Sequence, residues 1–489
     1  MSQMSTQPQT STGLCSVWQW NNSQSCCSSE INNKQKCQVE SARSNSLLYI
    51  EHGCQKGQCL LLLFLTIFIL VTVPTISWDI PLSRLYGKFH SDDSAMDQAQ
   101  VLNEQRYQKA FRYFSGLDSR SSRLFYEGKE KAHPDIVIAI ITTQRKKMST
   151  HYLVQTVAVM DHILKSDTLF ANTFLFICNV DQSPQNHEDA VLLQEYIPYV
   201  QMMGNNSFNQ SFQPYTYISE NNDYKRGQET KDYLFCLNVS KQFNSEFVFI
   251  LEDDVIPYTN ILEVLHYVLR KHHFLHSSHS ESNPLMKREF SYLKLYYPER
   301  WQGFANEVDR ILELVCYGLV GGAIVLGIFS AIFSHKFNFT YKTKMLYYTI
   351  GCALTIYTVI LLDRQQVMEF RRISPQLFRM SPSPACCTPA MLYSSHIIPG
   401  LISHLIDISQ MNKDLAIYDF IEKQQIPGYL LEPNLVRHIG LYTSLQNLHK
   451  PPKDVAFIDL HVRSSADIKE TCCPAAAAKS LSDASQLPN

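Results

Sequence analysis

The sequence predicts an α/β protein built on a largely parallel sheet and interrupted by membrane helices. Short apolar runs of β-prone residues alternate with helical stretches, the order expected of βαβ units. Polar residues follow the ends of those runs, where open α/β sheets bind their ligands. Three longer apolar runs, at 59–76, 314–333 and 345–362, each approach the ~20 residues that cross a bilayer as a helix.

At 489 residues the chain can hold one large domain or two ordinary ones. Its 43 Lys and Arg nearly balance 45 Asp and Glu, which gives no electrostatic footprint for nucleic acid. Residues 1–58 are rich in Ser, Gln, Asn and Cys and read as a disordered cytosolic tail. A tail that long before the first apolar run predicts an uncleaved signal anchor at 59–77. The later two runs carry no charge, and Gly318, Gly321, Gly322 and Gly327 are small residues that let membrane helices pack closely. Between them, residues 334–344 hold three lysines and no acid, which places this loop in the cytosol. An inserted hairpin returns the chain to the side it left. Residues 78–313 and 363–463 are therefore expected to form one luminal domain, followed by a disordered tail at 464–489.

Sequons at Asn205, Asn209 and Asn238 fall in that predicted lumen, whereas Asn338 falls in the cytosolic loop. Of the 14 cysteines, six lie at or before Cys59 and two, Cys316 and Cys352, lie in the later runs. The remaining Cys178, Cys236, Cys386, Cys387, Cys472 and Cys473 are an even set, compatible with disulfides in an oxidising lumen.

In chain order, a helical lead-in at 106–125 precedes a buried strand at 134–141 and a turn rich in hydroxyls and cations, Thr142 to Lys147. A helix at 152–164 leads to a strand at 173–178 that ends in Asn179-Val180-Asp181. Helices at 187–196 and 227–242 bracket the sequon loop. The strand at 247–257 follows, and it organises the chain: five apolar residues run into Glu252, Asp253 and Asp254, and Val255, Ile256 and Pro257 close it. Three adjacent acids at the end of a buried strand repel one another unless a cation sits there. Their functional reading is a divalent metal held by one or two carboxylates and completed by substrate phosphates. The alternative is an exposed acidic turn in a non-catalytic multi-pass membrane protein.

After a helix at 261–270, His272, His273, His276 and His279 have a spacing that suits a transition metal, but their serine-rich setting reads as a surface loop. Residues 290–297 alternate like an edge strand, and Trp301 follows. Past the hairpin, Arg371, Arg372 and Arg379 sit close to the bilayer. A turn-rich segment at 382–393 carries the adjacent Cys386 and Cys387. Helices are expected at 397–408 and 413–424, and the stretch 429–440 brings Glu432 and His438 close together.

An apolar strand ending in an Asp-X-Asp-like triplet, behind two strand-turns and a signal anchor, resembles a Golgi glycosyltransferase of the GT-A type. That fold is a Rossmann-type sheet with helices on both faces. The Glu252-Asp253-Asp254 form with an inserted transmembrane hairpin is more specific. Together with Cys386-Cys387-Thr388-Pro389 and Glu432-Pro433-Asn434 through His438-Ile439-Gly440, it resembles the post-GPI-attachment N-acetylgalactosamine transferase family, over residues 59–450. The resemblance implies a three-pass Golgi membrane protein that takes UDP-GalNAc as donor and a mannose of the GPI core on GPI-anchored proteins as acceptor. It also implies inversion and Mn²⁺. By position, Ile141, Thr142, Thr143 and Arg145 would border the uridine and diphosphate, and Asp181 the base or ribose. Glu252 and Asp253 would touch the nucleoside side, and Asp254 would contact Mn²⁺, with Asp253 and His438 in the metal shell. Thr388 and Pro389 would border the donor sugar, Lys413 would neutralise phosphate, and Glu432 would be the general base, with Asp407 and Asp414 behind it. An N-acetylglucosaminyltransferase of the N-glycan branching type is the alternative within the same fold.

Overall fold

A computed structural model describes residues 60, 62–78, 80, 83–85, 92–129, 133–145, 150–166, 168–202, 224–275, 289–305, 307–333, 340–408, 411–443 and 448–449. Expectations about residues 1–58, Asn205, Asn209, His276, His279, Asn338, Cys472, Cys473 and the tail at 464–489 lie outside them. The chain divides into two units, residues 1–68 and 69–489. Apolar residues from Leu62 to Ser77 form a helix shorter than the two later ones.

The core of the larger unit is an eight-stranded mixed sheet. Its strands are β1 (Ile136–Thr142), β2 (Thr173–Asn179), β3 (Tyr199–Gln201), β4 (Phe247–Glu252), β6 (Tyr292–Lys294), β7 (Arg379–Pro382), β8 (Ala390–Ser394) and β9 (Tyr429–Glu432), in the spatial order β3-β2-β1-β4-β8-β6-β9-β7. The separate strands β5 (Val255–Pro257) and β10 (Val436–His438) pair antiparallel with each other. β1 and β4 are almost wholly buried, as continuous runs of Ile, Val, Phe and Leu should be in a parallel sheet covered by helices. In register, Thr142 of β1 stands opposite Asn179 of β2, and Ile141 opposite Glu252 of β4. The C-terminal ends of these three strands therefore share one edge of the sheet, and each carries polar residues there.

Helix Tyr152–Ser166 follows β1, and nearly all of its residues are buried. Helix Tyr224–Lys241 packs with Ile398–Asp407 and Lys413–Gln424. A disulfide joins Cys178 at the end of β2 to Cys236 of that helix, and a second joins the neighbours Cys386 and Cys387.

The long insertion between β6 and β7 consists of two helices, Val308–Phe333 and Tyr341–Glu369, both long and apolar enough to cross a membrane. The strands on either side of it belong to one sheet, so a single domain continues across the hairpin. Small residues allow the two helices to approach. A Cβ on Gly321 would lie 1.9 Å from Thr355 Oγ1, and one on Gly351 would lie 2.7 Å from Val325 Cβ. Gly318 and Gly322 are similarly confined, whereas Gly327 faces open space and takes no part in this contact.

Candidate active site

Of the acid triplet, Glu252 ends β4, and Asp253 and Asp254 form the tight turn into β5. The Thr156 hydroxyl donates to the carbonyls of Asp253 and Val255, at 2.7 and 2.8 Å, and pins the turn to helix Tyr152–Ser166. Repulsion among the three acids is relieved by dividing them between two cations. Arg145 donates to Asp253 through both terminal nitrogens, at 3.0 and 2.8 Å, and to Asp254 Oδ2 at 3.1 Å. Its guanidinium lies 4.8 Å from the centroid of the Tyr152 ring. Glu252 turns the other way, towards Lys413 Nζ at 2.5 Å, which also meets Glu229 at 2.7 Å. Burial pushes the Glu252 carboxyl up to about 7 even with Lys413 against it.

Pairing of β10 with β5 sets His438 opposite Val255, and the Ile439 amide donates to the Asp254 carbonyl at 2.8 Å. His438 Nε2 then stands 3.5 Å from Asp254 Oδ2. Gly440 backs both groups: a Cβ there would lie 2.2 Å from Asp254 Oδ2 and 2.9 Å from His438 Cε1. Adjacent ligands of an octahedral ion at ~2.1 Å lie about 3 Å apart, so a small shift of this carboxylate, whose Oδ2 Arg145 also holds, would let it and the imidazole share one first-row divalent ion. Two protein ligands leave the remaining positions to water and substrate phosphates, the usual pattern for such ions at nucleotide sites.

On the β1 and β2 side, the Thr142 hydroxyl donates to Asp253 at 2.6 Å and lies 2.8 Å from His187 Nε2. Burial holds the His187 imidazole below its ordinary value. Asp181 accepts from the Thr143 hydroxyl, the Gln144 amide and the Ser183 amide at 3.2, 3.0 and 2.8 Å. On the β8 side, the Glu252 amide donates to the Pro389 carbonyl at 2.8 Å, which brings the Cys386–Pro389 loop to the acids. Asp414 accepts from the Thr388 hydroxyl at 2.6 Å and from the Cys387 amide at 2.9 Å. Lys294 Nζ donates to the carbonyls of Pro384 and Cys386, at 2.7 and 2.6 Å, and burial lowers its amine to about 8. Cys386, Cys387 and Asp414 present ligand atoms close together, but the disulfide leaves no thiolate for a metal.

A sequence model described as GPI-N-acetylgalactosamine transferase PGAP4 matches residues 136–437, more than half of the chain, and spans every element of this site up to Arg437. The chain belongs to the PGAP4 family. It is a glycosyltransferase. Among solved structures, mouse xyloside xylosyltransferase 1 in its apo form is similar at 9% identity, over 68% of this chain and 83% of that one, with a TM-score of 0.22. S. aureus TarS 1-349 is similar at 9% identity, over 60% of this chain and 91% of that one, with a TM-score of 0.19.

Within this PGAP4-family site, Ile141, Thr142, Thr143, Arg145, Asp181, Glu252, Asp253, Asp254, Thr388, Pro389, Lys413 and His438 all stand at or beside the shared sheet edge, linked by the contacts above. Four expectations change. Asp253 has both oxygens engaged by Arg145 and Thr142, so it braces the site and is poorly placed as a metal ligand. Glu432 is held by both terminal nitrogens of Arg364, at 2.9 and 3.1 Å. Burial pushes its carboxyl up, but Arg364 outweighs burial and holds it below the usual range, which makes it a weak base. Asp407 is exposed at the end of its helix. Asn238 lies half-buried within helix Tyr224–Lys241, not on a surface loop, which argues against glycosylation there.

Arg364 is a site-supporting residue that sequence reasoning missed, and Gly440 supports the site although that reasoning assigned it no role beyond the family motif. Arg364 also binds Glu313 of the first hairpin helix at 2.8 Å, and Arg371 binds the same carboxylate at 2.9 Å. The hairpin is thereby joined to β9 through buried ion pairs. His187, Lys294 and Thr156 were missed as well, because each acts through a tertiary contact that no spacing announces.

Proposed function

We propose that this glycosyltransferase moves GalNAc from UDP-GalNAc to a mannose of the GPI-anchor glycan on GPI-anchored proteins, with inversion and with Mn²⁺. Its catalytic domain would face the lumen of the Golgi, in a membrane crossed three times. The observation that carries this reading is the convergence of Arg145, Lys413, Asp254 and His438 on one sheet edge, in a chain of this family.

Thr142, Thr143 and Asp181 border the nucleoside, and Arg145 and Lys413 offset the charge of the surrounding acids, which lowers the repulsion an incoming diphosphate meets. Asp254 and His438 would hold the metal. When bound, Mn²⁺ supplies Lewis-acid neutralisation of the charge that develops on departing UDP. Thr388 and Pro389 border the donor sugar. Asp414, oriented by the Thr388 hydroxyl and the Cys387 amide and only half-buried, replaces Glu432 as the group that accepts the proton of the acceptor hydroxyl. The lysine-rich loop beginning at 334 supports a cytosolic turn of the hairpin, which leaves the sheet in the lumen. A domain fixed close to the bilayer meets a glycan that its own lipid holds at short range, which lowers the entropic cost of encounter.

The test is turnover by purified full-length protein on a GPI-anchored acceptor, with UDP-GalNAc or UDP-GlcNAc, with and without Mn²⁺. GalNAc transfer that requires the metal is expected. Preference for UDP-GlcNAc would sink the proposal.

A further inference from the structure

The second hairpin helix runs from Tyr341 to Leu362 before Asp363, at φ 66° and ψ 160°, breaks it. At ~1.5 Å per residue that stretch measures about 33 Å, close to the hydrocarbon thickness of a bilayer. The break therefore falls where the chain leaves the membrane. Two short 3₁₀ turns follow, Phe370–Ile373 and Pro375–Leu377, and they end two residues before strand β7 begins.

The polarity of these turns is inverted. Arg371 is drawn to Glu313 at 2.9 Å, while Arg372 pairs with Glu369 and lies 3.8 Å from the centroid of the Tyr258 ring. Phe370, Ile373 and Leu377 point outward, 68, 79 and 51% exposed. A turn facing water does the reverse, since arginine heads seek water and large apolar side chains avoid it. On the adjoining first hairpin helix, Val308, Ile311 and Leu312 are also exposed, so apolar surface is found on both sides of the exposed Arg379–Asp309 pair.

We propose that Phe370, Ile373 and Leu377 insert into the lipid interface as a second membrane anchor, beside the span. The occupant is the bilayer itself, because these exposed apolar residues sit beside those of the first hairpin helix and follow shortly after the point where the second helix has run one membrane thickness from its loop. Apolar side chains seated at the headgroup boundary hold a segment in the plane of the interface. β7 begins at Arg379 and pairs with β9, so the anchor fixes the height of the catalytic sheet above the lipid as well as its attachment. The inference rests on the membrane-crossing reading of the hairpin.

The experiment places p-benzoylphenylalanine at single positions of the full-length protein in phosphatidylcholine nanodiscs and detects lipid adducts by mass spectrometry after irradiation. Position 373, with 370 and 377 as independent repeats, is compared with Ile328 in the hairpin and Leu415 in the catalytic domain, each 52% exposed. Adducts are expected at 328 and at the three anchor positions, with loss of the signal at 415. Adducts at 328 but none at 370, 373 or 377 would overturn the anchor and leave the hairpin standing. Absence at 328 would overturn both readings.

Discussion

Replacement of Gly440 by alanine should disable the site while leaving the fold intact. The added Cβ would lie 2.2 Å from Asp254 Oδ2 and 2.9 Å from His438 Cε1, and these two side chains are the proposed metal ligands. Carbon–oxygen contacts settle near ~3.3 Å, so the carboxylate must withdraw by about 1 Å or carry β10 with it. A misplacement of ~1 Å at a reacting centre costs roughly 100-fold in rate, about 2.7 kcal/mol of barrier. The backbone at 440 lies outside the left-handed region, so alanine adds no left-handed backbone strain. Crowding of the buried Asp254 nevertheless costs ~1–3 kcal/mol, against the ~0.4–1 kcal/mol gained from a less flexible unfolded chain. We therefore predict a folded protein with a modestly lower melting temperature than the parent, together with a rise in the Mn²⁺ needed for half-maximal turnover and a fall of roughly 100-fold in kcat/KM. Paired thermal melts and metal titrations of UDP-GalNAc turnover read both quantities. Unchanged metal dependence in a folded Gly440→Ala protein would refute the assignment of Asp254 and His438 as the pair that holds the ion.

Asp414→Asn should abolish transfer while donor binding persists, because it removes a proton acceptor and little charge at the diphosphate; UDP affinity and transfer measured together check this. Glu432→Gln should instead lower stability, since it breaks the pairing with Arg364; transfer lost at unchanged melting temperature would restore Glu432 as the base. Arg364→Met would leave Glu432 a buried carboxylate without its cation, while Glu313 keeps Arg371, and should cost ~3–5 kcal/mol, read by chemical unfolding in detergent. Stability should also fall as pH rises towards neutrality. Burial pushes Asp232 and Glu299 each up to about 7, so between the ordinary carboxyl range and that value the folded protein keeps protons that the unfolded chain releases. A higher melting temperature at pH 6 than at pH 7.5 is expected, flattened in Glu299→Gln. A rise across the same interval would contradict it.

The strands of the nucleotide half were legible because each signals itself locally. Residues 134–141, 173–178 and the start of 247–257 are runs of β-prone apolar residues too short for helices, and the sheet puts their ends on one edge, although the turn at Asp253-Asp254 breaks the expected 247–257 strand into β4 and β5. The hairpin was legible from apolar length alone, although the helices run past the apolar runs, Val308 to Glu313 ahead of the first and Asp363 to Glu369 beyond the second, with charged residues of which Glu313 and Arg364 pair inside the protein. The acid triplet announced a cation requirement, but its division between Arg145 and Lys413 was hidden, since those cations lie more than a hundred residues away on either side. Glu432 illustrates the limit most clearly. A carboxylate near a histidine in sequence looks like an acid–base pair, yet the side chain of a residue in β9 faces Arg364, and only the antiparallel pairing of β10 with β5 brings His438 to Asp254.

The most direct measurement is transfer of radiolabelled GalNAc from UDP-GalNAc to a GPI-anchored acceptor by purified full-length protein, across a Mn²⁺ titration, for the parent and for Asp254→Asn. Saturable, metal-dependent transfer by the parent and its loss in the variant are predicted. Equal transfer by both proteins, or transfer indifferent to the metal, would contradict a cation site at the end of β4.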